Sequence, residues 1–182
     1  ASSNNVTVTA GAATQLAITT QPVGGTSGQP LATQPVIAIQ DGNGNVVTSG
    51  NSTVTATIFS GTGGVLGNVT ATAVNGVATF TNLTLAGTVG TNYVLRFAAT
   101  GLGFADSGNV TVTAGAATQL AITTQPVGGV SGQPLATQPV IAMEEGRGGV
   151  VSRGDSRARE TMYSGTGGVL GNVTARAGNG VA

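Results

Sequence analysis

Ala10-Gly11-Ala12-Ala13-Thr14-Gln15-Leu16-Ala17-Ile18-Thr19-Thr20-Gln21-Pro22 returns unchanged, 104 residues later, as Ala114-Gly115-Ala116-Ala117-Thr118-Gln119-Leu120-Ala121-Ile122-Thr123-Thr124-Gln125-Pro126. A solenoid repeats every ~20–50 residues, so this period marks a whole small domain in series. The repeat sets the expected boundaries. Residues 10–113 make one complete unit. Residues 1–9 align with 105–113 and read as the last strand of a preceding repeat. Residues 114–182 align with 10–78, so the second repeat is truncated and the chain reads as part of a longer array.

Within 10–113 the hydrophobic pattern has period two, and no segment shows a helical period. Leu16 and Ile18 share one face, with Ala17 and Thr19 opposite. Pro35-Val36-Ile37-Ala38-Ile39 is a strand ended by the turn cluster Asp41-Gly42-Asn43-Gly44-Asn45, and Val46-Val47-Thr48 follows as a short strand. Val54, Ala56 and Ile58 alternate with Thr53, Thr55 and Thr57. Asn75-Gly76, between strand formers at 70–73 and 77–80, is a hairpin signal. Tyr93, Leu95 and Phe97 alternate with Val94 and Arg96, and Val110 and Val112 with Thr111 and Thr113. Short strands separated by turn residues over about 100 residues predict an all-β fold: an immunoglobulin-like antiparallel β-sandwich in tandem repeats. Leu16, Ile18, Val54, Ile58, Phe80, Leu95 and Phe97 are the expected core.

Composition narrows function. Charged residues are 7% of the chain and the formal net charge is zero, so the basic footprint of a nucleic-acid or anionic-membrane partner is missing. Hydrophobic residues are 40%, which takes the chain out of the disordered class. There is no Cys, His or Lys. Stability must then come from the core, without disulfides or Lys–Asn cross-links. No apolar run approaches the roughly 20 residues of a spanning helix, so no membrane insertion is expected of this segment.

Three stretches carry a resemblance. Ala13-Thr14-Gln15-Leu16-Ala17-Ile18-Thr19-Thr20-Gln21-Pro22, then Gln40-Asp41-Gly42-Asn43-Gly44-Asn45-Val46-Val47, then Val74-Asn75-Gly76-Val77-Ala78-Thr79-Phe80 resemble the tandem immunoglobulin-like repeats of large bacterial surface proteins, broadly the invasin and intimin group of stalk domains. The resemblance implies an extracellular or cell-surface protein whose repeats space a binding tip from the envelope. The matching positions are turns and core, so no functional residue is carried over.

The second copy is unevenly faithful. Over 10–38 against 114–142 only Thr26→Val130 differs, and over 60–78 against 164–182 only Thr72→Arg176 and Val74→Gly178. Between them, 143–163 keeps 7 of 21 positions. Nine of the twelve charged residues fall in 144–176: Glu144, Glu145, Arg147, Arg153, Asp155, Arg157, Arg159, Glu160 and Arg176. A charged ligand surface on a fixed scaffold is one reading. Decay or error in this copy is the other, and Glu160 favours it. It replaces Ala56 on the face assigned inward, where an unpaired carboxylate is costly.

Catalytic raw material is scarce. Without His, Cys or Lys, acid–base work falls to Asp41 and Asp106, the two carboxylates of the complete unit, and neither is kept in the repeat: Asp41 corresponds to Glu145 and Asp106 to Ser2. No enzyme activity, catalytic residue or cofactor is expected. Asp41-Gly42-Asn43-Gly44-Asn45 starts like a calcium loop but has Val46 at the sixth position and Ser52 at the twelfth. It reads as a turn, with one ligand of a weak inter-module calcium site as the alternative. Ser60-Gly61-Thr62-Gly63-Gly64 lacks the Lys of a phosphate loop and reads as a flexible turn. The sequons at Asn5, Asn51, Asn68, Asn82 and Asn109 are what an Asn- and Thr-rich chain produces by chance. Tyr93, Phe97, Phe80 and Phe104 are candidates for a sugar-stacking platform, with core the better assignment for the first three, which fall on apolar faces.

The expected function is a structural spacer or adhesion module of a bacterial surface protein, its partners being neighbouring repeats of the same chain joined near 113–116. The alternative is a direct binding module for carbohydrate or another cell surface, which an exposed aromatic platform would favour.

Overall fold

The computed structural model describes residues 4–146, 150–151, 157–159, 174–176 and 181. The chain divides into two compact units, Ala1–Thr113 and Ala114–Ala182. All regular structure among the described residues is β, in antiparallel sheets.

The first unit carries nine strands: β1 (Gln15–Thr20), β2 (Val36–Gln40), β3 (Thr53–Ser60), β4 (Val65–Gly67), β5 (Thr70–Thr72), β6 (Val77–Thr79), β7 (Thr84–Ala86), β8 (Tyr93–Ala98) and β9 (Ala105–Val110). One sheet has the order β1-β2-β6, another β5-β3-β8-β9, and β4 pairs with β7. The three-stranded sheet supplies Leu16, Ile37, Ile39 and Ala78 to the core. The four-stranded sheet supplies Val54, Ala56, Tyr93, Leu95, Phe97 and Val110 to the same cluster. The arrangement is that of a sandwich, with one apolar layer between two sheets. Strand alternation causes it: each contributing strand turns every second side chain inward.

Five of the seven expected core residues are buried: Leu16, Val54, Phe80, Leu95 and Phe97. Ile18 and Ile58 are only half-buried, though packed against the cluster. Each lies beside a register shift, between Ile18 and Thr20 in one case and Ile58 and Ser60 in the other. A bulge bends its strand and re-aims the side chains there. Phe80 meets Phe97 edge-to-face, with ring centroids 5.5 Å apart. Tyr93 is buried with its hydroxyl satisfied: it accepts from the Thr88 amide at 2.8 Å and donates to the Thr62 carbonyl at 3.0 Å.

Two local expectations need correction. Asn75 and Gly76 both have positive φ, 51° and 77°, as the tight primed turn requires. The flanking strands, however, do not pair with each other. β5 pairs with β3 and β6 with β2, so the turn carries the chain from one sheet to the other with a single rung, Val74 to Val77. Val46-Val47-Thr48 is likewise not a strand: Val46 makes one bridge to Gln40, and the Val47 amide donates to the Ile39 carbonyl at 2.9 Å.

In the second unit, β10 (Gln119–Thr124) pairs with β11 (Val140–Glu144) and β12 (Arg157–Arg159) with β13 (Thr174–Arg176). The β10–β11 register, including its shift between Ile122 and Thr124, reproduces that of β1–β2. The β12–β13 ladder reproduces β3–β5, setting Arg157 opposite Arg176 where the first unit sets Thr53 opposite Thr72. Burial does not follow. Leu16 is 5% exposed, whereas Leu120, in the same six-residue strand sequence, is 59% exposed. Glu160 and the 164–168 turn lie outside the described residues.

The contrast gives a direct test. Leu16→Ala costs about 2–5 kcal/mol, the range for emptying a packed core site. Leu120→Ala stays within about 0.5 kcal/mol, as surface changes do. Denaturant unfolding followed by near-ultraviolet circular dichroism of the buried Tyr93 measures the first variant, and amide hydrogen exchange of β10 and β11 measures the second.

Candidate functional site

The outer face of the four-stranded sheet follows from the same parity that fills the core. Thr53, Thr55, Thr57 and Phe59 point outward from β3, and Val94 and Arg96 from β8. Phe104 and Asp106, two apart, flank the start of β9 on that face. Register then assembles these residues. Arg96 stands opposite Thr57 on one side and Asp106 on the other.

Four of these side chains form one cluster. The Arg96 guanidinium carbon sits 3.8 Å from the Phe59 ring centroid and 3.8 Å from that of Phe104. Arg96 Nε donates to Asp106 Oδ1 and Nη2 to Oδ2, both at 2.7 Å. The two-pronged bond holds the guanidinium plane in place, and each ring offers its negative face to the cation. The Arg96 hydrogen bonds hold the Asp106 carboxyl below the usual carboxylate range, and Asp106 raises Arg96. Phe59 and Phe104 are 55% and 58% exposed, so their apolar surface is presented to solvent from a rigid sheet.

Sequence reasoning placed Phe104 outside the core but did not single out Phe59 or Arg96. Strand parity does put both on the polar face. Missing from the sequence was the β3-β8-β9 register that brings them together. Tyr93, Phe97 and Phe80 are core, so they form no platform.

The second feature is Asp41, buried at the end of β2. Its Oδ1 accepts from the backbone amides of Asn43 and Asn45, both at 2.9 Å, and Oδ2 from that of Gly11 at 2.8 Å. Asn45 Nδ2 reaches both oxygens, at 3.3 and 3.1 Å. Chain reversal is completed by the Asp41 amide donating to the Asn45 carbonyl at 3.0 Å. The expected turn is present, and its carboxylate also ties down the segment that leads into β1. The Gly11 amide bond and those from Asn45 and Asn43 lower the Asp41 pKa to about 2, against a smaller desolvation effect.

This arrangement leaves both carboxylates of the first unit engaged, Asp41 by amides and Asp106 by a guanidinium. Among the described residues, no group of three or more His, Cys, Asp or Glu is placed to hold a metal ion. No helix among them is long and apolar enough to cross a membrane.

No protein family and no curated protein matches the chain. Among solved structures, it is similar to the β-glucuronidase of Parabacteroides merdae at 21% identity and a TM-score of 0.38, over 56% of this chain and 12% of that one. The chain thus spans about an eighth of that enzyme's length. A likeness this slight carries no argument about activity.

Both engaged carboxylates predict acid sensitivity of one sign. Both folded-state pKa values lie below the ordinary 3.8, so both contributions are fully present above about pH 5 and fall as the pH drops, that of Asp41 being lost toward its folded value of about 2. Thermal midpoints measured between pH 6 and 2 fall in that window. Asp41→Asn lowers the midpoint at pH 6 and flattens the acid limb. With its lone pairs already taken, Asp41 offers little to a cation: calcium titration leaves the wild-type midpoint unchanged.

Proposed function

We propose that this chain belongs to a tandem array of immunoglobulin-like modules acting as a structural spacer or adhesion stalk of a bacterial surface protein. The observation that carries the proposal is the 104-residue repeat, whose β1–β2 ladder recurs as β10–β11 rung for rung. Identical modules in series accumulate length, whereas a single binding site needs no copies. The strand orders β1-β2-β6 and β5-β3-β8-β9 around a shared core support the immunoglobulin-like assignment. The resemblance to invasin and intimin stalks supports an extracellular or cell-surface location. With both carboxylates of the first unit engaged, a non-enzymatic role fits the side chains best.

Direct binding of carbohydrate or another cell surface is the second reading, and one observation favours it: Phe59 and Phe104 present their rings outward on a rigid face. Aromatic faces held by a scaffold suit stacking against a sugar ring.

Mechanical unfolding separates the two. For a polyprotein of 10–113 pulled at single-molecule resolution, the spacer reading expects equal steps. Each releases the contour of one 104-residue module, roughly 35 nm at ~3.4 Å per residue less the folded length. Unequal or absent steps would count against it. On a glycan array the spacer reading expects no binding. Binding that Phe59→Ala and Phe104→Ala both abolish would favour the second reading.

A further inference from the structure

The outward face of the four-stranded sheet carries a row of hydroxyls that leads up to the aromatic stack. Val54 and Ala56 are buried, so Thr53, Thr55 and Thr57 project from the opposite side of β3. Register sets Thr72 opposite Thr53 and Thr70 opposite Thr55. The Thr53 and Thr72 hydroxyls share a bond of 3.1 Å. On the other flank, Ala98 stands opposite Thr55 and Arg96 opposite Thr57. From Thr53 to Phe59 the strand runs roughly 20 Å at ~3.3 Å per residue, room for several sugar rings in line.

Two register shifts meet at the stack. One lies in β3 between Ile58 and Ser60, across Phe59, and the other in β8 between Val94 and Arg96. Bulges of this kind re-aim side chains and concentrate beside functional sites. The charge on the face is spent internally. Arg96 and Asp106 hold each other through paired bonds of 2.7 Å, and Asp41, the remaining charged residue of 4–113, is buried. The face thus presents ring surface at one end and neutral hydroxyls along its length. Each hydroxyl can both donate and accept. Threonine side chains are stiff at χ1 and the sheet fixes their spacing, so little freedom is lost on binding.

We propose that this face binds an extended neutral polysaccharide. One sugar ring stacks at Phe59 or Phe104, and the following rings lie along β3 over Thr57, Thr55 and Thr53. The site rests on the direct-binding reading above and adds to it the path of the ligand and its lack of charge.

Affinity electrophoresis of the 182-residue chain tests this in gels carrying a mixed-linkage glucan, a galactomannan or an arabinoxylan, with polygalacturonate as the acidic comparison. At least one neutral polymer is expected to retard the chain and polygalacturonate is not. Calorimetry with oligosaccharides of the retarding polymer should show affinity rising from disaccharide to tetrasaccharide. Phe104→Ala weakens retention several-fold through the lost ring. Thr55→Arg does the same by placing bulk and charge in the middle of the path. This substitution suits the sheet, since the β12–β13 ladder keeps the β3–β5 register with Arg159 at that position. Circular dichroism at Tyr93 checks that each variant folds as the wild type does. Retention lost in Phe104→Ala but untouched by Thr55→Arg keeps an aromatic sugar site and overturns the path along β3. Stronger retention by polygalacturonate overturns the neutral class. No retention by any polymer sinks this site and the direct-binding reading together. Self-association that Thr55→Arg abolishes assigns the face to a second copy of the chain and likewise overturns the proposal.

Discussion

A sheet with one apolar face must be covered, and the rest of this molecule depends on how that cover is supplied. In the first unit Tyr93, Leu95 and Phe97, spaced by two on β8, fill the layer between the sheets, and every other buried strand packs around them. The ladder itself is a local matter. Gln-Leu-Ala-Ile-Thr-Thr pairs with its neighbour in the same register, with the same bulge, in both units. Whether its leucine reaches the interior is not local. Leu16 is buried under the cover, whereas Leu120, in the same strand sequence and register, is exposed. Hydrogen bonding thus fixes strand geometry, and burial alone decides whether that geometry is worth keeping.

The Asp41 turn shows how a single carboxylate can organise backbone. Three amides and an asparagine side chain converge on it, one of them from thirty residues away. The second copy reads Glu145-Gly146-Arg147-Gly148-Gly149 here, with Gly149 in place of the Asn45 side chain that bonds Asp41. At the equivalent position Glu145 is buried, and its Oε1 has no hydrogen-bond partner among the described residues, a costly state for a carboxylate oxygen. Glu145 lies within the 143–163 block, where the copies diverge most.

Much of this was legible in the residues. Period-two alternation announced strands, the repeat set the unit, and parity assigned Val54, Leu95 and Phe97 inward. Three things were not legible, each for a physical reason. Strand partners are non-local, so Asn75-Gly76 correctly indicated a primed turn but not that its arms join different sheets. Bulges arise from the fit between strands, so the half-burial of Ile18 and Ile58 had no signature of its own. Finally, the Phe59–Arg96–Phe104 stack needs three strands in register at once. Each residue sat on the outward parity, but only pairing made them neighbours.

The surface chemistry of the first unit has a further consequence. Within 4–113 the charged side chains are Asp41, Arg96 and Asp106. Asp41 is buried among amides, and Arg96 and Asp106 hold each other, so each of these charges is engaged within the unit. Dissolved ions act on proteins largely by screening charge, over about 10 Å at 0.1 M. Here there is almost nothing to screen. The electrostatic part of the unit's stability therefore varies little with salt concentration. Its surface meets water through neutral hydroxyls and amides beside exposed apolar side chains such as Phe59 and Phe104, groups that carry no charge to screen.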